Sequence, residues 1–332
     1  MKKFYSCGSS ETTRKAPDFL FDDFYKYGHV DHVPRIEKSF LEWFIGFFEG
    51  DGYIGYTNEG GYYRLRFSIC QKEKRIIDII SYTFGFGSIS SFQQNNFTIW
   101  RWSLDSKNSI ERIAFLLSGN LIFKHRQDKF LKLIEIGQKK NMFKSPFLVK
   151  PWLAKISLQN AWLSGFIDAE GCFYANFGIT KAQRILLINV NKKEKIENKE
   201  FLEFYNLKPK PRLKQKMTLV QLSNLDTNNI FNKILKLFQG KSLYVFKNRP
   251  KGNSYIRIEL SSLESHEIIS NYLLYNKLKT LKYISFRRWW RVHLRKKNGI
   301  HLSSKGIKRL YRLVKAINTH RKELYNKNYI EK

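Results

Sequence analysis

Apolar residues recur with two different periods along this chain. In residues 40–48 large apolar side chains stand three or four positions apart, which predicts a helix. In residues 62–70 they alternate with polar side chains, which predicts a strand with one packed and one solvated face. The same alternation returns in residues 97–104, 213–221 and 255–260. Helical and strand patterns mixed in this way predict an α+β fold.

The helical segment that ends near residue 52 is repeated later in the chain. Residues 44–52 read FIGFFEGDG, and residues 163–171 read LSGFIDAEG. Gly46 and Gly165 fall inside their helices, where a glycine costs about 1 kcal/mol relative to alanine, so another backbone is expected to pass close to each. One long-period repeat predicts two similar domains rather than a solenoid.

The acids that close the two segments, Asp51 and Glu170, are the candidate chemistry of the chain. The glycines that follow them, Gly52 and Gly171, end each helix and permit a sharp turn into a strand. If the two helices pack against each other, the two carboxylates lie side by side. Such a pair of carboxylates either shares a proton or holds metal ions.

Both segments resemble the signature of the LAGLIDADG homing endonucleases, in the single-chain form with two motifs, and the resemblance covers about residues 38–320. It implies two pseudo-symmetric αββαββα half-domains that form a saddle, with antiparallel sheets that bind DNA. It also implies that Asp51 and Glu170, with the adjoining Gly50 and Ala169, bind Mg²⁺, for which Mn²⁺ can substitute.

The resemblance and the repeat together predict the domain boundaries. The segment around residues 137–151, rich in lysine and containing two prolines, is the best linker between the halves. The predicted divisions are an N-terminal extension (1–37), a first half-domain (38–137), a linker (138–156), a second half-domain (157–320) with an insertion at about 178–210, and a tail (321–332).

Four further residues are implied to be catalytic. In the family a Gln after the second strand and a Lys before the last helix of each half flank the metal centre. By matching position these are Gln71 with Lys124 and Gln221 with Lys279, and Lys282 is the fallback because the halves align here only with a one-residue shift. In a chain this basic, a lysine at such a position fits a plain phosphate contact equally well.

The charge of the chain indicates a polyanionic partner. Lys and Arg number 60 against 28 Asp and Glu, which gives a net charge of +32 spread along the whole chain. A folded protein with this charge is expected to bind a polyanion, and double-stranded DNA is the predicted one. An anionic membrane surface is the rival partner, although no apolar run approaches the roughly 20 residues that span a bilayer.

The solvated faces of the predicted strands supply the DNA contacts. A two-stranded ribbon fits the major groove, where arginine can read guanine edges. The predicted contact residues are Tyr53, Tyr62, Arg64, Arg66, Ser68, Cys70, Arg101, Ser103, Tyr174, Asn176, Lys214, Lys216, Thr218 and Arg257.

The predicted function is site-specific hydrolysis of both strands of a long, asymmetric DNA target by a monomer. Two alternatives remain open: an RNA maturase that helps its host group I intron to splice, and a DNA-binding regulator on the same scaffold. The chain favours Lys, Asn, Ile, Phe and Tyr throughout, as an AT-rich gene would encode. This bias predicts an organelle, with the mitochondrion favoured over the chloroplast.

Overall fold

The computed structural model describes residues 19–144, 147–178, 212–247, 252–299 and 304–319. The predicted insertion at about 178–210, apart from residue 178, and the predicted tail at 321–332 lie outside the described residues, as do the first 18 positions of the N-terminal extension. Numbered in chain order, the described elements fall into two halves with the same order of helices and strands.

The first half begins with a long helix and ends with two helices. Its elements are α1 (Lys38–Asp51), β1 (Gly52–Glu59), β2 (Tyr62–Gln71), α2 (Lys74–Phe84), β3 (Ser88–Gln94), β4 (Phe97–Leu104), α3 (Lys107–Leu117) and α4 (Lys124–Lys139).

The second half repeats this order and adds one more helix. Its elements are α5 (Trp162–Glu170), β5 (Gly171–Gly178), β6 (Arg212–Leu222), α6 (Leu225–Leu237), β7 (Ser242–Lys247), β8 (Ser254–Leu260), α7 (Leu263–Tyr275), α8 (Lys282–Lys297) and α9 (Ser304–Ala316).

Each half builds one four-stranded antiparallel sheet, with strand order β1-β2-β4-β3 in the first and β5-β6-β8-β7 in the second. The predicted alternation is confirmed. Leu65, Phe67 and Ile69 of β2 are buried, as are the alternate residues Met217 and Leu219 of β6. The α+β prediction with two pseudo-symmetric halves is therefore confirmed. Among the described residues, the first half carries one helix more than the predicted αββαββα order, and the second half carries two more.

The two halves meet through α1 and α5, which pack against each other along their length. A Cβ atom placed on Gly46 would overlap the backbone oxygen of Trp162, and one on Gly165 would overlap the backbone oxygen of Trp43. Glycine at these two positions lets the helix backbones touch, which is why the helices accept its unfavourable propensity. The buried residues of both halves form one continuous apolar cluster around this contact.

The connection between the halves runs over the helical side of the first half. It leaves α4 after Lys139 and enters α5 at Trp162. The ring of Trp152 packs against Phe130 of α4, and the side chain of Gln138 donates to the backbone oxygen of Phe147 at 2.7 Å. Phe130 itself packs under the sheet, against Phe67. The connection therefore lies opposite the exposed sheet faces.

The described part of the predicted N-terminal extension is integral to the first half. Phe19, Phe21 and Phe24 are buried in the shared apolar cluster. The side chain of Asn120 exchanges two hydrogen bonds with the backbone of Leu20, at 2.7 and 2.6 Å. Since this segment fills part of the core, the first half extends in structure beyond residue 38 towards the N-terminus.

Candidate functional site

The two motif acids stand at the ends of the paired helices. Asp51 is the last residue of α1, and Glu170 is the last residue of α5. The Gln71 side chain donates to the Asp51 carboxylate at 2.7 Å, and the Gln221 side chain donates to the Glu170 carboxylate at 3.0 Å. The structure thus brings each predicted Gln to its predicted acid, at the end of the second strand of each half.

The two carboxylates are close enough to affect each other. A Cβ atom on Gly50 would lie 3.3 Å from Cγ of Glu170, so the ends of the helices are in contact. Burial raises the pKa of Glu170 to about 7, and the charge of Asp51 acts in the same direction. Burial also raises the pKa of Asp51, against the lowering effects of Lys282 and Gln71. Both acids are therefore poised to gain from a nearby cation.

Two basic side chains approach the acids, one from α4 in the first half and one from α8 in the second. Arg126 of α4 donates to the backbone oxygens of Glu49, Gly50 and Gly52. Lys282 of α8 donates to the backbone oxygens of Ile167 and Ala169, at 3.1 and 3.0 Å.

These two cations act on both carboxylates. The positive charges of Arg126 and Lys282 lower the pKa of both Asp51 and Glu170, against the larger opposing effect of burial. The fallback residue Lys282 therefore occupies the position predicted for a basic residue in the second half, and Arg126 occupies it in the first.

Lys124 and Lys279 lie elsewhere. The ammonium group of Lys124 pairs with Asp128 on the exposed surface of α4. The ammonium group of Lys279 lies over the rings of Phe40 and Trp43, 5.4 and 5.6 Å from their centroids. Neither ammonium group therefore contacts the motif acids: Lys124 begins α4 as Lys282 begins α8 but pairs with Asp128, and Lys279 precedes α8.

A second pair of acids, not singled out from sequence, lies behind the first. Glu49 accepts from the backbone N–H groups of Ile122 and Phe123, at 2.7 and 2.8 Å, and from the indole of Trp162 at 2.7 Å. Burial raises the pKa of Glu49 to about 7, although these three donors act in the opposite direction.

Asp168 is the corresponding buried acceptor in the second half. It accepts from the backbone N–H groups of Lys279 and Thr280, from the Thr280 hydroxyl, and from the indole of Trp43. The signal available in the sequence was the equal placement of Glu49 and Asp168, two positions before the closing acid of each motif.

The acid pair offers oxygen ligands of the kind that a hard divalent cation prefers. The backbone oxygens of Gly50 and Ala169 stand beside it, although each already accepts one hydrogen bond, from Arg126 and Lys282 respectively. Among the residues that the structure describes, no group of three or more His, Cys, Asp or Glu side chains is arranged to hold a metal ion. Two carboxylates that leave room for water and substrate oxygens fit Mg²⁺ better than a site built entirely from protein ligands.

The exposed face of the first sheet is basic, as predicted. Tyr53, Tyr62, Arg64 and Cys70 are exposed there. Arg66 pairs with Asp105 at 3.1 Å, and Arg101 donates to the thiol of Cys70 and lies over the ring of Phe92.

Two predicted contact residues on this face are covered. Ser68 and Ser103 are opposite each other in the register of β2 and β4, and they are only 5% and 7% exposed. Both lie on the predicted face, and the Ser103 hydroxyl lies 3.2 Å from that of Ser88. Ser68 lies in a groove lined also by Tyr53, Arg66 and Arg101.

The exposed face of the second sheet carries the remaining predicted contacts and one acid. Tyr174 and Lys214 are exposed, and Asn176, Lys216, Thr218 and Arg257 are half-buried on the same face. Glu259 lies among them: it accepts from Lys216 at 2.6 Å and from the hydroxyl of Tyr244 at 2.7 Å. Partial burial raises the pKa of Glu259, but these donors and the charges of Lys216 and Arg257 hold it below its usual value.

No membrane-crossing element is found in the described part of the chain, where every helix is too short or too polar to traverse a bilayer.

Comparison with known proteins agrees with this architecture. The family model described as LAGLIDADG endonuclease matches residues 163–293. The chain is 24% identical over 294 residues to a protein of Neurospora crassa named "Probable intron-encoded endonuclease 4", covering 88% of this chain and 46% of that protein. It is 28% identical over 158 residues to "Intron-encoded RNA maturase bI4" of Saccharomyces cerevisiae, covering 46% of this chain and 22% of that protein.

A solved structure shares the fold. The meganuclease I-SmaMI, bound to an uncleaved DNA target in the presence of calcium ions, superposes with a TM-score of 0.61 at 14% identity, over 84% of this chain and 98% of that one. The chain spans less than half the length of the two curated relatives above. Residues 163–293 therefore match the LAGLIDADG endonuclease family model, and the chain as a whole is similar in sequence to intron-encoded endonucleases and in fold to a meganuclease.

Proposed function

We propose that this chain is a homing endonuclease, which hydrolyses both strands of double-stranded DNA at one long, asymmetric target. The observation that carries the proposal is the pairing of Asp51 and Glu170 where α1 and α5 end, with a Gln bonded to each carboxylate. The exposed faces of the two sheets, rich in Arg and Lys, supply the DNA-binding surface. Their side chains differ between the halves, so an asymmetric target is expected.

The acid pair would hold Mg²⁺, with Mn²⁺ able to substitute. The carboxylates of Asp51 and Glu170 are the proposed ligands, and the backbone oxygens of Gly50 and Ala169 remain candidates. When bound, such an ion supplies Lewis-acid activation of the phosphate and lowers the pKa of a water molecule. The donor set fits because burial and mutual repulsion make the two carboxylates depend on positive charge.

The chain's own residues prepare the site for phosphodiester hydrolysis. Gln71 and Gln221 fix the orientation of the two carboxylates through their hydrogen bonds. Arg126 and Lys282 bring positive charge to a place where a phosphate would accumulate negative charge in the transition state. The packed apolar cluster behind the helix ends keeps these groups in place.

Cleavage of a plasmid that carries the uninterrupted insertion site of the gene tests this function. We expect wild-type protein with Mg²⁺ to convert the supercoiled plasmid to a linear product, and EDTA to prevent it. Asp51→Asn removes the charge but keeps the shape, so it should abolish cutting while leaving DNA affinity largely unchanged. Equal cutting by the variant and the wild type would refute the assignment of Asp51.

A second candidate function is assistance to splicing of the host intron RNA. Its support is the similarity of part of this chain to a protein named as an RNA maturase. The same preparation tests it: the purified protein should accelerate splicing of the precursor RNA that contains its own intron. Because splicing assistance needs no phosphodiester hydrolysis by the acid pair, Asp51→Asn should retain it.

The proposed setting is a monomer encoded within an organelle intron, in the mitochondrion rather than the chloroplast. Two motif-bearing halves in one chain supply both acids of the site, so no second copy is needed to complete it. The amino-acid composition, which is of the kind that an AT-rich gene encodes, and the intron-encoded relatives support the organelle.

A further inference from the structure

The helices that carry the two basic groups begin without a side-chain cap of their own. The residues at the N-cap positions are Phe123 before α4 and Leu281 before α8, and neither supplies a capping hydrogen bond. The first backbone N–H groups of a helix have no partner within the helix, and they normally need an oxygen acceptor. At both of these helices the acceptors come from distant parts of the chain.

Each half supplies part of the cap from its own motif. Glu49 accepts from the N–H groups of Ile122 and Phe123, and Asp168 accepts from those of Lys279 and Thr280. The N–H group of Ile122 thus corresponds to that of Lys279, and the N–H group of Phe123 to that of Thr280.

The next N–H group in each set is bound by the opposite half. Asp226, in the first turn of α6, accepts from the N–H of Lys124 at 2.8 Å. Glu73, immediately before α2, accepts from the N–H of Leu281 at 2.9 Å. The two contacts are related by the pseudo-two-fold axis of the molecule, because each acid lies at the start of the helix that follows the second strand of its sheet.

Neither acid supplies the side-chain cap of its own helix, although Glu73 also pairs with Arg75 of α2 at 4.0 Å. The cap of α6 is the side chain of Asn224, which accepts from Thr227, so Asp226 is not needed for it. Glu73 stands at the N-cap position of α2 but makes no capping bond to that helix. An acid near the positive end of a helix dipole is favourable, so each carboxylate gains by reaching across the interface.

We propose that Glu73 and Asp226 are positioning residues, which set the two basic groups of the cleavage site from the opposite half. Glu73 holds the backbone one residue before Lys282, whose ammonium group binds the backbone oxygen of Ala169. Asp226 holds the backbone two residues before Arg126, whose guanidinium group binds the backbone oxygen of Gly50.

The Glu73 contact also connects Asp51 to Lys282 through a short segment of the chain. Gln71, bonded to Asp51, lies two residues before Glu73 in the chain. Asp51, Gln71, Glu73 and Lys282 line one cleft of about 880 Å³. The segment after the second strand of each half therefore contacts the motif acid of its own half and the start of the helix that carries the basic group of the other half. Contacts from both halves thus hold the acids and the basic groups in place.

This inference rests on the proposed function and adds a strand-specific consequence. The pseudo-two-fold axis relates the two basic groups as it would relate the two strands of a bound duplex. Loss of one cross-half cap should therefore slow the cleavage of one strand more than the other, and loss of the second cap should reverse the bias. One well-made hydrogen bond to a charged group corresponds to roughly a tenfold change in rate.

The experiment measures the cleavage rate of each strand separately, in single turnover with Mg²⁺ and target DNA labelled on either strand. Glu73→Ala and Asp226→Ala should slow opposite strands by about tenfold relative to the partner strand. Glu73→Gln and Asp226→Asn keep an acceptor oxygen and should restore most of the loss. The matched controls are Asp78→Ala and Asp128→Ala, which remove acids from exposed pairs on α2 and α4.

The outcomes separate this inference from the proposed function. Slowing of both strands equally, or of the same strand by both variants, would overturn it, as would equal loss in the alanine and amide variants. If the wild type cuts neither strand, the endonuclease proposal fails. Amide hydrogen exchange of the DNA-free protein then tests whether the two capping hydrogen bonds exist. Faster exchange at Leu281 in Glu73→Ala and at Lys124 in Asp226→Ala would support these bonds, and unchanged exchange would refute them.

Discussion

Trp43 of the first half donates its indole N–H to the carboxylate of Asp168 in the second half, at 2.9 Å. The reverse contact joins Trp162 to Glu49, at 2.7 Å. All four side chains are buried, so neither carboxylate can replace a lost donor by water. The contacts fix the rotation of α1 against α5, and with it the juxtaposition of Asp51 and Glu170.

Replacing Trp43 by Phe should destabilise the protein beyond the effect of the lost ring volume. The Asp168 carboxylate would lose one of its donors while it stays buried, which typically costs about 1–3 kcal/mol. Urea unfolding at neutral pH measures the change in the free energy of unfolding.

Trp162→Phe is the matched variant at the related position, and Trp100→Phe on a half-buried strand position is the control. Similar losses for Trp43 and Trp162, with a smaller loss for Trp100, are expected. A free energy of unfolding unchanged in Trp43→Phe would show that the indole bond has no role in holding the halves together.

Gly46→Ala should be destabilising although alanine is the better helix former. Elsewhere in a helix this exchange stabilises by about 1 kcal/mol. Here the added Cβ would overlap the backbone oxygen of Trp162, which cannot move without separating the helices. The free energy of unfolding is expected to fall by about 1–3 kcal/mol, as measured by thermal or denaturant unfolding. Ser39→Ala, on the exposed start of the same helix, is the control, and a gain in stability for Gly46→Ala would contradict the close approach.

The paired motifs allowed much of this site to be predicted from the sequence. Gly46 and Gly165 indicated the close approach of the helices, because an interior glycine needs a structural reason. Asp51 and Glu170 followed from their equal places in the repeat, and the two glutamines were implied by the family resemblance at positions that the repeat matches. These features depend on local periodicity and on the repeat itself, both of which are visible in a list of residues.

The basic groups could not be placed in the same way. The N–H groups bound by Glu49 and Asp168 match Ile122 with Lys279. Those bound by Asp226 and Glu73 match Lys124 with Leu281. The lysines near the starts of the two helices therefore do not occupy matching positions. Arg126 and Lys282 reach similar backbone oxygens from positions that do not correspond in this alignment, because their side chains differ in length and number of donors. Which side chain reaches the acids depends on backbone geometry that the one-dimensional pattern does not contain.

Exchange of single lysines therefore distinguishes the two placements. In the wild type the Lys282 ammonium group binds the backbone oxygen of Ala169, and its charge lowers the pKa of Asp51 and Glu170. Lys282→Met removes this charge, so cleavage should fall by about 100-fold or more. Lys124→Met removes only the exposed pair with Asp128 and should change the rate by less than about threefold. Single-turnover rates at saturating DNA concentration give the comparison. A larger loss for Lys124 than for Lys282 would restore the placement expected from sequence.

The pKa of Glu170, raised mainly by burial to about 7 from an ordinary 4.5, links stability to pH. A carboxyl whose folded-state pKa lies above its unfolded value stabilises the fold at low pH, and this contribution is lost as pH rises through the folded-state value. A difference of one in pKa between the folded and unfolded states corresponds to about 1.4 kcal/mol, so the contribution of Glu170 is on the order of 3 kcal/mol.

Glu170→Gln keeps the neutral form at every pH. In EDTA it should match the wild type near pH 5 and be more stable than the wild type at pH 8, by up to about 3 kcal/mol. Denaturant unfolding at the two pH values measures this. Glu135→Gln, in an exposed pair with Lys139, is the control and should not become more stable between the same pH values. A wild type and a Glu170→Gln variant that differ equally at both pH values would show that Glu170 is already ionised at pH 5.

Glu259 is expected to limit how strongly the second sheet binds DNA of any sequence. Its carboxylate holds the ammonium group of Lys216 and the hydroxyl of Tyr244, and it lies 3.9 Å from Arg257. A bound duplex would therefore compete with Glu259 for these donors. An acid on this face would also repel phosphates, while it can accept a hydrogen bond from a cytosine amino group in the major groove.

Glu259→Gln should consequently raise the affinity for random-sequence DNA and steepen its dependence on salt. If Lys216 becomes free to bind a phosphate, the slope of log K against log salt should grow by about 0.9, the contribution of one phosphate contact. Fluorescence anisotropy with a labelled duplex over a range of salt concentrations gives the slope. Glu264→Gln, at the start of α7, makes the same change in net charge away from the sheet and should leave the slope nearly unchanged. Equal slopes for the two variants would mean that Glu259 acts only through overall charge, and that Lys216 is not held back from DNA by its ion pair.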